Sequence, residues 1–110
     1  IPLSEILTDI KNYPDNPVTF YLYQNYPNRF NPVTQINYEL RVTNYVKLRV
    51  YDALGKEVAV LVNEKLSPGS YEVEFDARNA GQGIGLPSGM YFYKFEAGNF
   101  SETRRMILLK

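Results

Sequence analysis

Ser70-Tyr71-Glu72-Val73-Glu74-Phe75-Asp76 decides the fold class, because apolar and acidic residues alternate through it without a break. Side chains along a strand point to opposite faces with a period of two, so Tyr71, Val73 and Phe75 share a dry face. Glu72, Glu74 and Asp76 share the wet one. Working outward, the same period recurs. Val46, Leu48 and Val50 alternate with Lys47 and Arg49, while Ile36, Tyr38 and Leu40 alternate with Asn37 and Glu39. Tyr91, Tyr93 and Phe95 alternate with Phe92, Lys94 and Glu96. Val58-Ala59-Val60-Leu61-Val62 is apolar throughout, which suits a strand covered on both sides or an edge lying under a loop. Met106-Ile107-Leu108-Leu109 reads the same way.

Turn chemistry separates these runs. Asp52-Ala53-Leu54-Gly55-Lys56 places Gly where a positive φ is wanted, and Pro68-Gly69 suggests a type II turn. Ala97-Gly98-Asn99 can close a hairpin. The stretch from Asn79 to Gly89 holds four glycines and reads as a flexible connector. With no helical period between the strands, the expectation is an all-β, immunoglobulin-like antiparallel β-sandwich of about seven strands.

Residues 1–19 differ. Ile1, Leu3, Ile6, Leu7 and Ile10 are scattered among polar residues before Pro14 and Pro17. Ser4 to Lys11 could form a short helix, too short to stand alone. The segment is expected to be a linker or an N-terminal tail that docks on a neighbour, with the β-domain over 20–110. Its start at Ile1, without a signal peptide's basic and apolar regions, is expected of a piece of something longer.

The composition bears on chemistry. Among 110 residues there is no Cys and no His, and 12 basic residues balance 12 acidic ones. Thiolate zinc sites, cysteine nucleophiles and imidazole-based triads are thereby excluded. A neutral balance argues against nucleic acid as a partner. No stretch approaches the roughly 18 apolar residues of a membrane-spanning helix, so no transmembrane segment is expected.

Each remaining candidate has a plainer reading. Gly81-Gln82-Gly83-Ile84-Gly85 resembles a phosphate loop fragment, but Pro87 and an aromatic strand follow it where a helix would be needed. Glu72, Glu74 and Asp76 are placed to solvate a sheet face and discourage edge pairing. Calcium on Asp15, Asn16 or Asp76 would be a site without a recognised loop spacing. Of the 10 tyrosines, Tyr21, Tyr23, Tyr26, Tyr38, Tyr45 and Tyr51 are candidates for a sugar-stacking platform. Alternation, however, puts Tyr38, Tyr71, Tyr91 and Tyr93 inside. No catalytic, metal or cofactor-binding residues are assigned.

One stretch carries a resemblance: Gln24-Asn25-Tyr26-Pro27-Asn28-Arg29-Phe30-Asn31-Pro32-Val33-Thr34. It resembles the opening motif of type A C-terminal sorting domains of the type IX (Por) secretion system, commonly Gln-Asn-Tyr-Pro-Asn-Pro-Phe-Asn-Pro. Three later blocks agree in order: Val46 to Val58, Leu86 to Phe95 with its Gly-x-Tyr element, and Thr103 to Lys110. Arg29 replaces the usual Pro, and the glycine-rich loop is longer than usual. The immunoglobulin-like domain of flagellar hook-capping proteins is similar in its Asn-Pro-x-Thr opening, its Val-Tyr-Asp-x-x-Gly block and its Gly-x-Tyr element. The Arg104-to-Lys110 ending favours the sorting class, and it implies a native C-terminus at Lys110.

The resemblance implies a non-enzymatic address label. An upstream cargo crosses the periplasm, an outer-membrane translocon reads the domain, and a sortase-like peptidase cuts in the 1–19 linker or close to Phe20. The cargo then stays at the cell surface or is released outside. Gly89, Tyr91, Met106, Ile107, Leu108, Leu109 and Lys110 would form the recognised end, with Asn28, Phe30, Asn31 and Pro32 as the family's motif turn. Two further expectations stand beside it. One is a surface module that self-assembles by strand complementation through its tail; the other is a carbohydrate-binding appendage.

Overall fold

The alternating stretches become strands because each can bury one face, and their register shows which. A computed structural model describes residues 19–81 and 85–109. It contains β1 (Phe20–Leu22), β2 (Arg29–Phe30), β3 (Val33–Leu40), β4 (Asn44–Asp52) and β5 (Glu57–Leu66). β6 (Gly69–Asp76), β7 (Gly89–Ala97) and β8 (Phe100–Leu108) follow, with a 3₁₀ turn at Ala77–Asn79. The expected helix at residues 4–11, and the whole of 1–18, lie outside the described residues.

The strands form two sheets, ordered β1-β3-β6 and β2-β8-β7-β4-β5. The fold is therefore the all-β sandwich expected, with eight strands among the described residues. Ile36, Tyr38, Leu40 and Phe75 project inward from the smaller sheet. They meet Val46, Leu48, Val50, Tyr93, Phe95, Met106 and Leu108 from the larger one. Rings cross between layers: Tyr38 lies 5.1 Å from Phe95, and Phe30 stands edge-on to Phe75 at 5.9 Å. Burying an aliphatic or aromatic side chain of this kind contributes about 1.5–3 kcal/mol. This core is the main stabilising element.

Three details differ from the sequence expectation. The pairing is not wholly antiparallel, because β2 runs parallel to β8. The two residues of β2, Arg29 and Phe30, are too few to show a period, so nothing in the pattern marks them as a strand. Gly69 opens β6 at φ 158° and pairs with Leu40, and that is not the i+2 geometry of a type II turn. The glycine-rich connection is tied at both ends. Gly85 N–H donates to Ala80 at 3.1 Å, and Leu86 N–H to Ala77 at 3.1 Å, with Ala80 and Leu86 buried. Residues 82–84 lie outside the description.

Other turns follow their chemistry. Asp52 Oδ1 accepts from the N–H groups of Leu54 and Lys56, both at 2.9 Å, and Gly55 takes φ 87°. Gly98, at φ 60°, sits in the two-residue loop beyond the Ala97–Phe100 pair. The apolar run Val58 to Val62 belongs to β5, an edge strand, with Gly81 N–H reaching Val58 O at 3.3 Å. That is the edge-under-a-loop arrangement.

Candidate functional site

β8 is held on both sides. Toward β7 the pairs are Gly89 with Leu108, Met90 with Ile107 and Tyr91 with Met106. On its other side β2 lies parallel, Arg29 opposite Ile107 and Phe30 opposite Leu108. Ile107 N–H donates to Asn28 O at 3.3 Å, and Leu109 N–H donates to Phe30 O at 3.0 Å. The Met106–Leu109 run is thus an inner strand, with the two-residue β2 taking the edge. Met106 and Leu108 are fully buried, Ile107 is half-buried, and Leu109 is 46% exposed. Asn31 is exposed, and Pro32 O accepts from Ala77 N–H at 2.9 Å, handing the chain to the smaller sheet.

The two groups of residues singled out in the sequence are therefore one assembly. Gly89, Tyr91, Met106, Ile107, Leu108 and Leu109 form the ladder, and the turn residues Asn28, Phe30, Asn31 and Pro32 brace its outer side. Lys110 lies outside the described residues. Arg29, in place of the usual Pro, is exposed within β2.

Behind this assembly is a polar node that the sequence reading missed. Asn25 is buried, and its Nδ2 donates to Pro27 O at 2.9 Å, Asn28 O at 3.3 Å and Thr34 Oγ1 at 3.0 Å. Thr34 Oγ1 in turn donates to Pro27 O at 2.8 Å. Tyr93 Oη accepts from Asn25 N–H and donates to Tyr23 O, both at 2.8 Å. Gln24 Nε2 bridges Asn25 Oδ1 at 2.7 Å and Arg105 O at 2.8 Å, tying the node to β8. Burial pushes the Tyr93 hydroxyl up to about 12, against smaller downward pulls from the Asn25 N–H and Arg104. Thr34 could have been found, since it continues the buried row Ile36, Tyr38, Leu40. Asn25 lies in no periodic run, so no such signal marks it.

Tyr91 Oη donates to Pro87 O at 2.7 Å, four residues upstream, and Tyr71 Oη donates to Ser67 O at 2.6 Å in the same relation. Gly-x-Tyr therefore occurs twice, at Gly69-Ser70-Tyr71 and Gly89-Met90-Tyr91, each time starting a strand. It resembles a tyrosine corner, where the hydroxyl pins the chain entering a strand. Burial, then the charge of Asp52, raises the Tyr91 pKa.

The other candidates are placed elsewhere. Tyr38 is buried, and Tyr51 is half-buried. Tyr21, Tyr23, Tyr26 and Tyr45 are exposed. Tyr21 stacks on Tyr23, whose hydroxyl donates to Glu39 at 2.9 Å. The Asp76 carboxylate is engaged by Arg78 at 2.7 Å, whose hydrogen bond holds it below the ordinary range, while Asp15 and Asn16 lie outside the described residues. Among the described residues no cluster of three carboxylates is placed to hold a metal, and no helix is long and apolar enough to cross a membrane.

Comparison with known proteins agrees with this assembly. The secretion system C-terminal sorting domain family matches residues 24–109, from the Gln24 node to the end of the β8 ladder. Among solved structures, dimeric latent PorU from Porphyromonas gingivalis is similar at TM-score 0.66 and 16% identity, covering 87% of this chain and 10% of that one. PorZ, a surface component of the type IX secretion system of the same organism, is similar at TM-score 0.57 and 20% identity, covering 81% and 11%. At these identities the likeness is one of fold, and the chain spans about a tenth of either protein's length. No curated protein matches. With most of its length matched, strands and motif turn included, the chain belongs to the family of type IX secretion system C-terminal sorting domains.

Proposed function

We propose that this domain directs an upstream cargo through the type IX secretion system to the cell surface, and that the β8 end is what the system reads. The observation that carries the reading is the bracing of β8 by β2, which leaves Leu109 exposed beside a strand held on both sides. A rigid strand of this kind presents its terminal residues in one geometry, so little ordering entropy remains to be lost on capture. Because the β8 backbone is already paired on both sides, the exposed side chains at its end supply the affinity and the choice, and strand addition does not. In this reading Gly89 and Tyr91 set the ladder, Met106 and Leu108 anchor it, Ile107 and Leu109 are offered outward, and Lys110 completes the recognised end. An outer-membrane translocon is the first partner. A sortase-like peptidase is the second, cutting in residues 1–19 or near Phe20 after the domain has left the periplasm. The domain acts by being recognised and performs no catalysis of its own.

The test is a reporter fused upstream of residues 20–110 in a host with this secretion system. Removing Met106 to Lys110 would also remove two fully buried core residues, so that deletion confounds folding with recognition. Leu109→Glu combined with loss of Lys110 spares the core. Surface display of the reporter is expected to fall at least tenfold while the purified domain unfolds at the same denaturant concentration. Undiminished display by that folded variant would remove the reading.

A further inference from the structure

The two long edge strands of the sandwich are built differently. β5 carries register shifts against β4 at Leu48/Arg49 and Val50/Tyr51, and such bulges kink an edge and spoil it as a template. β6 pairs with β3 at all eight positions, from Val33–Asp76 to Leu40–Gly69, without a shift. No proline interrupts it, and among the described residues no strand lies on its other side. It is a regular, open edge.

The backbone direction along that edge can be derived. Ala77 N–H donates to Pro32 O, which makes Pro32–Ala77 a hydrogen-bonded pair continuing the β3–β6 register. Hydrogen-bonded pairs alternate along an antiparallel ladder. Phe75, Val73, Tyr71 and Gly69 therefore aim their N–H and C=O groups at β3. Ser70, Glu72 and Glu74 aim theirs away. β3 agrees from its other side, where Asn37 O accepts from Tyr23 N–H at 3.0 Å and Gln35 exchanges bonds with Tyr26 at 2.9 Å.

The residues that bare their backbone also carry the charge. Glu72 and Glu74 are exposed on the outer face, while Tyr71 and Val73, which alternate with them, are half-buried on the inner one. Asp76 is committed to Arg78, and Glu72 and Glu74 form no ion pair among the described residues. Glu39 faces outward opposite Ser70, so Glu39, Glu72 and Glu74 line this margin, with Arg78 acting on Glu74 at its far end. A concavity lined by Tyr23, Glu39 and Glu72 opens beside the edge, offering an aromatic ring and two carboxylates to a cationic side chain. Pairing β6 with β6 of a second copy would set Glu against Glu, which is destabilising in cross-strand positions. The charge pattern selects against self-association and for a partner of opposite sign.

We infer that the β6 edge receives an extended cationic segment of a partner protein as a fourth strand of the smaller sheet. Lys or Arg at alternate positions of that segment face Glu72 and Glu74, and apolar residues between them cover Tyr71 and Val73. The inference is independent of how β8 is read.

The probe is a capped peptide of β6's length alternating Lys and Val, titrated into the full chain while amide hydrogen exchange is followed by NMR. Exchange is expected to slow at Ser70, Glu72 and Glu74, and to stay unchanged at Tyr71 and Val73, whose amides already serve β3. A peptide of equal charge with proline at its centre should produce no such slowing, because it cannot complete the ladder. Glu72→Lys with Glu74→Lys should weaken binding at least tenfold, the fold being checked by retained exchange protection in β4 and β7. Four results would each overturn the inference. They are slow exchange at the three edge amides before any peptide is added, no binding, equal binding by the proline peptide, or binding that leaves those amides unprotected.

Discussion

Asn25 and Tyr93 do the most at the scale of single residues. Tyr93→Phe removes one hydroxyl and leaves a buried N–H and a part-buried C=O without their partner. The expected loss is about 1–3 kcal/mol of unfolding free energy, read by denaturant titration. Tyr91→Phe removes one bond at a less enclosed site and should cost about 1 kcal/mol. Tyr93 and Tyr38 both sit near 12 because burial disfavours their ionised forms. Their folded values lie above the ordinary 10.0, so the stability they contribute is complete below that pH. It is then lost as the pH rises from about 10 to about 12. Tyrosinate absorbance of the native protein should show Tyr38 and Tyr93 among the late-titrating rings, and unfolding midpoints should fall across that window. The residue scale is also where sequence reading has least purchase. Tyr93 could be assigned to the core from its phase, but its partnership with Asn25, 68 residues away, depends on a turn with no period.

Elements are held by their ends and by their outward charges. Gly98 takes φ 60°, and an added Cβ there would come 2.7 Å from Asn44 Nδ2. The amide is the tip of a side chain and can give way, so the backbone sets the cost. Gly98→Ala should destabilise by roughly 1–2 kcal/mol, and Gly98→Asn by less, as thermal unfolding would show. On the outer face of the larger sheet, Arg49 pairs with Glu96, and Lys94 stands 3.5 Å from the same carboxyl. Burial pushes Glu96 up, but the Arg49 hydrogen bond and the two cations outweigh it and leave Glu96 below the ordinary Glu range. Its contribution is present above the unfolded-state pKa and lost as pH falls through the folded one. Glu96→Gln should therefore flatten the acid limb of a stability–pH curve. The alternating strands were legible element by element, down to which face of Val46, Leu48 and Val50 is dry. β2 was not, because two residues carry no pattern. The bulges of β5 were not either, since a wholly apolar run hides a slip in register.

At the scale of the molecule, two sheets are joined where the chain passes from β2 to β3. Phe30 is buried against Phe75 of the opposite sheet, and its C=O holds Leu109. Phe30→Ala should cost about 3–5 kcal/mol, a large share of the 5–15 kcal/mol typical of a domain. The denaturation midpoint should drop accordingly, with faster exchange at Leu109. The general architecture was readable because sandwiches follow from short alternating strands, and the sorting-domain resemblance was readable from four ordered blocks. How those blocks meet was not, because the opening motif and the closing strand are joined only in three dimensions.

That junction has a consequence for synthesis. β8 is the last of the described strands to leave the ribosome, and until it does β2 has no neighbour and the β7 edge stays open. A chain broken off anywhere before Met106 lacks both the strand that would be displayed and the strand that completes the sheet. Truncated products thus forfeit the completed sheet and, on the proposed reading, the address with it, so that delivery would be restricted to polypeptides translated through β8.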